Sequence, residues 1–338
     1  GGESVGIGYQ AGKAETNPGN LGSVYIGYKA GQGIVNSTVV MIGYKAGSSY
    51  SGTGKGEGVT LIGHRAGLNS NDDAINNTAV GYASLYANTA GERNTVMGRN
   101  AGFEITTGDN NTLIGYNTMG PLTGLRNTAI GTNAMEDTDA GSTSLGSTNN
   151  IFMGYEAGGG TWADAASNEN VAIGNYAMDA ALNGALRNVA IGHEALTGLT
   201  SGDYNQAIGY RALYAANTGG SNTAIGHEAG ISITSGAMNV AIGYHAGYNN
   251  QTGVYNVHIG MQAGYGAASN SANTNTFVGY KTGYDVTSGY NNVALGGSAL
   301  ENLTTGIENV VIGNNAGDAL TTTSNVVLVG KNAGGAIN

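Results

Sequence analysis

The chain has 338 residues, 61 of them glycine, with two prolines, one tryptophan, no cysteine and a formal net charge of −10. Glycine at more than twice the usual share of about 7%, with no Gly-X-Y period and almost no proline, excludes collagen. A chain that is 40% hydrophobic and only 10% charged is not an acidic disordered one, and it carries no apolar run near the roughly 18 residues of a spanning helix.

The acidic balance argues against nucleic-acid binding and against attraction to an anionic membrane. The lack of cysteine removes disulfide and thiolate chemistry. An opening of Gly1-Gly2-Glu3 reads as a processed product or a segment of something longer.

An internal repeat runs from end to end, Asn-[Thr/Val]-Ala-Ile-Gly-Tyr-x-Ala-[Gly/Leu]. Its central glycine recurs nineteen times, from Gly8 and Gly27 through Gly98, Gly115, Gly192, Gly226 and Gly243 to Gly313 and Gly330, most often 17 residues apart. Seventeen residues hold two short strands and two turns but not two helices. The repeat therefore predicts an all-β, parallel β-solenoid (β-roll) of 19 coils, about 17 residues each, as a single repeat domain over 1–338. Nineteen coils at about 4.8 Å would make a roll about 90 Å long.

Three columns before each anchor glycine carry the strand signal. The residue one before it is aliphatic or Met in all 19 copies, and the residue three before it is Val, Thr or Ile in all but Gln206. β-Branched residues at spacing two share one face of a strand. The residue between them faces the other way, and it is Ala in eight copies (Ala190 and Ala241 among them) and bulky and apolar in nine more. A strand apolar on both faces is buried on both. The Val/Ile pair is expected to fill the roll, and the Ala/Gly column to lie against another subunit, most simply in a bundle of three. A second, weaker apolar side reads aliphatic-Thr-[Thr/Ser]-Gly in five copies, as in Ile105 to Gly108, Leu199 to Gly202 and Leu303 to Gly306. These aliphatics are expected to meet the Ile column across the roll. Their closing glycines suit a turn that needs positive φ.

The Val-Ala-Ile-Gly core resembles the head repeat of YadA-like trimeric autotransporter adhesins. The fuller pattern is similar to repeats of phage-type tail-fibre proteins, as in Asn77-Thr-Ala-Val-Gly-Tyr-Ala-Ser-Leu-Tyr-Ala-Asn-Thr-Ala-Gly91 and Tyr210-Arg-Ala-Leu-Tyr-Ala-Ala-Asn-Thr-Gly-Gly220. The resemblance covers essentially the whole chain. It implies a left-handed, homotrimeric roll that is a shaft or head segment of an extracellular or virion-surface fibre, giving rigid reach and attachment to a cell-surface glycan or protein receptor. The repeat here is longer than the short adhesin head repeat. Competing readings are a self-assembling extracellular filament subunit and an ice- or glycan-binding solenoid. The ice reading is weakened by Thr three before the anchor in only seven of 19 copies.

Four residues before the anchor stands an Asn column, unbroken from Asn77 to Asn309, that includes Asn94, Asn111, Asn188, Asn222 and Asn239. Stacked coils would set these amides about 4.8 Å apart, close enough to hydrogen-bond up the stack. Five sequons (Asn36, Asn76, Asn110, Asn250 and Asn302) are what an Asn- and Thr-rich chain produces by chance. The residue after the anchor is Tyr in nine copies and His in three. It reads as an aromatic row packed along the roll with wet hydroxyls, or else as a surface that stacks on sugars.

Metal chemistry is not expected. His193 and His227 share a column two coils apart, about 10 Å, and His245 and His258 fall in other columns. The Asp/Asn stretches allow incidental calcium without a calcium-roll signature, and no cofactor or catalytic constellation emerges. Two adjacent long coils, near 136–150 and 158–170, hold Glu136, Asp137, Asp139, the one tryptophan, Trp162, and Asp164 and Glu169. These insertions are expected to form a lateral acidic bulge with an aromatic tip, the candidate ligand-contact loops, although a tolerated surface loop is the plainer reading. The terminal coils carry no capping sequence, so the ends are expected to meet a longer chain or another copy, end to end.

Overall fold

A computed structural model describes residues 4–14, 22–34, 38–50, 57–71, 73–120, 123–136, 146–163, 165–267 and 271–335. Among these the chain is all-β. Nineteen parallel strands, one ahead of each anchor glycine and three or four residues long, form a β-solenoid, with no α-helix. Two compact units are present: residues 1–170 with Ala181–Gly184, and Val171–Ala180 with Ala185–Asn338.

The first unit holds nine strands, Val5–Ile7 to Ile151–Met153, and the second holds ten, Val171–Ile173 to Val327–Val329. Within each, every strand pairs with the next in register, like column on like column. Val189, Ala190 and Ile191 pair with Gln206, Ala207 and Ile208, and these in turn with Thr223, Ala224 and Ile225.

The strands alternate as expected, but the two faces are exchanged. Ala172, Ala190, Ala207 and Ala224 are fully buried, whereas Ile173, Ile191, Ile208 and Ile225 are each 38% exposed. The column between the β-branched residues lines the interior, and the Val/Ile pair faces out. The reason is volume. A coil of seventeen residues encloses a narrow lumen, which must also hold a second buried Ala column (Ala177, Ala195, Ala212 and Ala229) and the aliphatics of the far side. The far-side residues Ile105, Leu199, Ile233, Val286 and Leu303 are buried as expected. They meet the interior column, not the Ile column: Val286 and Leu303 cluster with Phe277, Ala294 and Val311.

The lumen is filled by complementary sizes within each coil. Where the residue two before the anchor is bulky, the residue four after it is usually glycine. A Cβ on Gly31 would lie 2.4 Å from the Tyr25 ring, on Gly158 2.5 Å from Phe152, and on Gly283 2.4 Å from Phe277. Where the first position is Ala, as at Ala172, Ala190, Ala207 and Ala294, the second is Met178, Leu196, Leu213 or Leu300, all fully buried. Of the three coils that are small at both positions, that of Gly6 and Gly12 has the Tyr25 ring 2.7 Å from where a Cβ on Gly12 would stand, and the other two borrow likewise from neighbours. Leu213 reaches toward Gly230, and His258 toward Gly247, each 3.0 Å from where a Cβ would stand.

The anchor glycines do allow a second backbone to come close, but that backbone is the next coil of the same chain. A Cβ on Gly98 would sit 2.0 Å from the Gly115 carbonyl oxygen, and on Gly226 2.6 Å from that of Gly243. Their φ angles, +137° and +139°, are ones L side chains rarely adopt. Gly115, Gly192, Gly243 and Gly313 repeat the same contact. The glycines that close the far side do not have positive φ. Gly202 and Gly306 are required by space alone, since a Cβ on either would lie 2.2 Å from a carbonyl oxygen one coil on.

Candidate functional site

Within each unit the outward strand face repeats from coil to coil. Its two columns present Val, Thr, Ile, Met and Leu on every coil, with Gln206 the one polar amide and no charge anywhere. Met97 is 49% exposed and Leu295 47%. A chain with a net charge of −10 thus keeps an apolar strip, two side chains wide, free of all its charges. Strips of this kind mark interaction surfaces.

Beside it runs the aromatic column. In the first unit Tyr9, Tyr28, Tyr44, His64 and Tyr82 stack in sequence, with centroids 5.3, 5.2, 5.0 and 4.9 Å apart and planes within 17° of parallel. Arg99 continues the row, its guanidinium 5.5 Å from Tyr82 and 5.7 Å from Tyr116. In the second unit His193, Tyr210, His227 and Tyr244 stack likewise at 5.7, 4.9 and 5.3 Å. A shorter parallel row joins Tyr248, Tyr265 and Tyr284, each pair 4.9 Å apart. The spacing is that of the coils, so the rings cover one another's faces. Edges and hydroxyls are left toward water, and a sugar ring, which stacks on an open aromatic face, finds none within the row.

The Asn ladder is interior. Asn94 Oδ1 accepts the backbone N–H of Asn111 at 2.9 Å, and Asn94 Nδ2 donates to the Gly108 carbonyl at 2.8 Å. The Asn205 backbone N–H donates to Asn188 Oδ1 at 2.8 Å, and that of Asn239 to Asn222 Oδ1 at 3.0 Å. Each amide thus ties its own turn to the coil above and leaves no polar atom over for a ligand. Of the sequon asparagines, Asn76, Asn110 and Asn302 are exposed, Asn250 is buried, and Asn36 lies outside the described residues.

Trp162 is not the tip of a bulge. It is fully buried, tilted against Phe152 at 5.6 Å, with its indole N–H donating to the Gly158 carbonyl at 3.0 Å. It stands eight residues after its anchor, one beyond the usual place of the far-side aliphatic, and fills that side of the lumen. Asp137, Asp139 and Asp164 lie outside the described residues. Glu136 accepts from Asn117 Nδ2 at 3.2 Å.

Polar side chains also meet across columns. Glu194 pairs with Arg211 of the following coil, a bond that raises the guanidinium above its ordinary value, and His193 Nδ1 lies 3.7 Å from the same carboxylate. Two coils on, Glu228 meets His245 in the place that Arg211 takes beside Glu194, and His227 lies close by. The expectation that these histidines stand apart is thereby corrected. Tyr210 does separate His193 from His227, but His245 sits against His227 because the second residue after one anchor lies beside the first and second of the coil before. Glu228 is half-buried in this cluster, not a free surface charge.

No family model and no curated protein matches this sequence.

Proposed function

We propose that the chain is a structural segment of an extracellular or virion-surface fibre, in which copies of it pack through the Val/Ile strand face, three around one axis. The carrying observation is the outward apolar strip on coil after coil, without a charge, in an acidic protein. Water is a poor partner for such a face, and a second copy of the same face has the matching chemistry and repeat. Left-handed winding and threefold packing come from the resemblance to adhesin head and tail-fibre repeats. Stiffness comes from in-register strand pairing within each unit and from the buried Asn ladder.

This reading ranks above an ice or glycan binder for two reasons. Outward Thr hydroxyls occur on only seven of 19 coils, and the aromatic rings are stacked on each other. Attachment through the insertion rests on Asp137, Asp139 and Asp164, with Trp162 removed from that role.

The test is native mass and sedimentation of the chain. A trimer that Ile191→Asp with Ile208→Asp and Ile225→Asp converts to folded monomers supports the proposal. A native chain that is monomeric at tens of micromolar, or a trimer indifferent to the three substitutions, overturns it.

A further inference from the structure

His227, Glu228 and His245 converge on one point of the aromatic surface. One ring nitrogen of His227, a carboxylate oxygen of Glu228 and one ring nitrogen of His245 all lie within 4.8 Å of one another. His245 Nε2 is 2.8 Å from Glu228 Oε2, and His227 Nδ1 is 4.0 Å from the same oxygen. We propose that these three side chains form a binding site for a single divalent transition-metal ion of the zinc, nickel or copper class.

The distances fit a shared ion. Bonds of about 2.0–2.2 Å to nitrogen and oxygen place two neighbouring ligand atoms roughly 3 Å apart and opposed ones roughly 4 Å apart. Two imidazoles and one carboxylate form a donor set suited to borderline ions and unsuited to calcium, which takes oxygen ligands. The close pair is also not closed by a hydrogen bond. His245 Nε2 is buried and no hydrogen bond reaches it, although it lies 2.8 Å from the carboxylate oxygen. The equivalent pair two coils earlier differs in this respect, because Arg211 Nε donates to Glu194. An ion placed between the two lone pairs would satisfy both.

The surroundings favour a fixed site. Glu228 and His245 are each only 16% exposed at the side chain. His245 lies against the ring of Tyr244 at 3.8 Å and Tyr248 at 4.6 Å, and His227 is stacked between Tyr210 and Tyr244. His227, at 47% exposure, is the most exposed of the three, and its side leaves positions open to water. The second coil before supplies an internal control, since His193 and Glu194 are there paired with an arginine that no metal can use.

The experiment is calorimetric titration of the whole chain with Zn²⁺ and with Ni²⁺. One ion per chain is expected, with affinity falling at least tenfold in His245→Ala and in His227→Ala and unchanged in His193→Ala. Absence of saturable binding, or binding that survives the His227→Ala, His245→Ala double variant, overturns the site. Should the variants lose their fold, the native chain carries the test. Ni²⁺ must then shield His227 and His245 from diethyl pyrocarbonate, read by peptide mass, while His193 and His64 react as before. Equal reaction of all four overturns the proposal.

Discussion

Replacing Ala190 by Phe puts two side chains into one volume. Ala190 is fully buried, and Leu196 occupies the position from which, in other coils, a glycine faces the bulky residue. In the coil of Phe277 that glycine is Gly283, and even a Cβ there would come within 2.4 Å of the ring. Phe at 190 with Leu196 retained is an overpacked core, costing about 3 kcal/mol. Leu196→Gly alone removes buried carbons in the manner of a large-to-small core substitution, about 3–4 kcal/mol. Relief of a left-handed backbone, φ +52° at Leu196, offsets this by about 1 kcal/mol. The double variant recreates the Phe277/Gly283 arrangement, which already stands next to a small residue, Ala294, in the following strand. It should lie within about 1–2 kcal/mol of the native protein, so the two changes couple by about 4 kcal/mol. Solenoids need not unfold all at once, so the readout is local as well as global. Urea midpoints should be paired with hydrogen exchange of the Val189 amide, which bonds to the Asn205 carbonyl at 2.8 Å. If Ala190→Phe alone is neutral, or the double variant loses the sum of the single losses, the lumen is not filled by paired sizes and this reasoning fails.

The remaining predictions follow from the same geometry. Ala190→Arg and Ala241→Arg, which place a charge in the lumen, should abolish folding of their coils rather than assembly, whereas Ile225→Asp should spare the circular-dichroism spectrum and weaken self-association; the reverse pattern would restore the opposite assignment of faces. Asn222→Ala strips the Asn239 N–H and the Gly236 carbonyl of buried partners, a loss of about 3 kcal/mol read as faster exchange at Asn239; unchanged exchange would deny the ladder its structural role. His258 is buried beside Phe277 with Nε2 unpartnered, and burial lowers its pKa from 6.5 to about 4. The fold therefore favours the neutral ring: stability is complete above pH 6.5, falls as pH drops toward 4 because the unfolded chain takes the proton first, and loses about 3 kcal/mol in all. His258→Phe, which completes a Phe/Gly pair with Gly264, should flatten that loss; equal acid sensitivity in both proteins would rule it out.

The strands were legible because the repeat states them nineteen times. Period-two β-branching ahead of each glycine marks a strand whatever lies around it. Which face is inside was not legible from that column pattern, because both faces are apolar and alternation is symmetric under their exchange. The deciding signal lay six positions on from the interior column. The residue four after the anchor is Gly where Tyr25, Phe152 or Phe277 stands two before it, and in six of the eight coils with Ala there it is Leu or Met, as with Ala190 and Leu196. Side chains that compensate in size share a volume, and a shared volume inside one coil is a lumen. Nothing comparable links the Val and Ile columns, which vary without regard to each other, as an outward face permits. The same logic explains why Trp162 was misread: a large residue in a long coil looks like a loop tip until its distance from the anchor is matched to the far-side column. The metal-site geometry was hidden for a different reason. His227, Glu228 and His245 belong to two coils and two columns, and reading each column alone never sets them side by side. In a solenoid the nearest neighbours of a residue lie one coil above and below and one column to either side. A search for chemistry in such a sequence therefore has to run diagonally across the aligned repeats, and along that diagonal Glu194 with Arg211 and Glu228 with His245 come out as the same pair, the first closed by a hydrogen bond and the second left open.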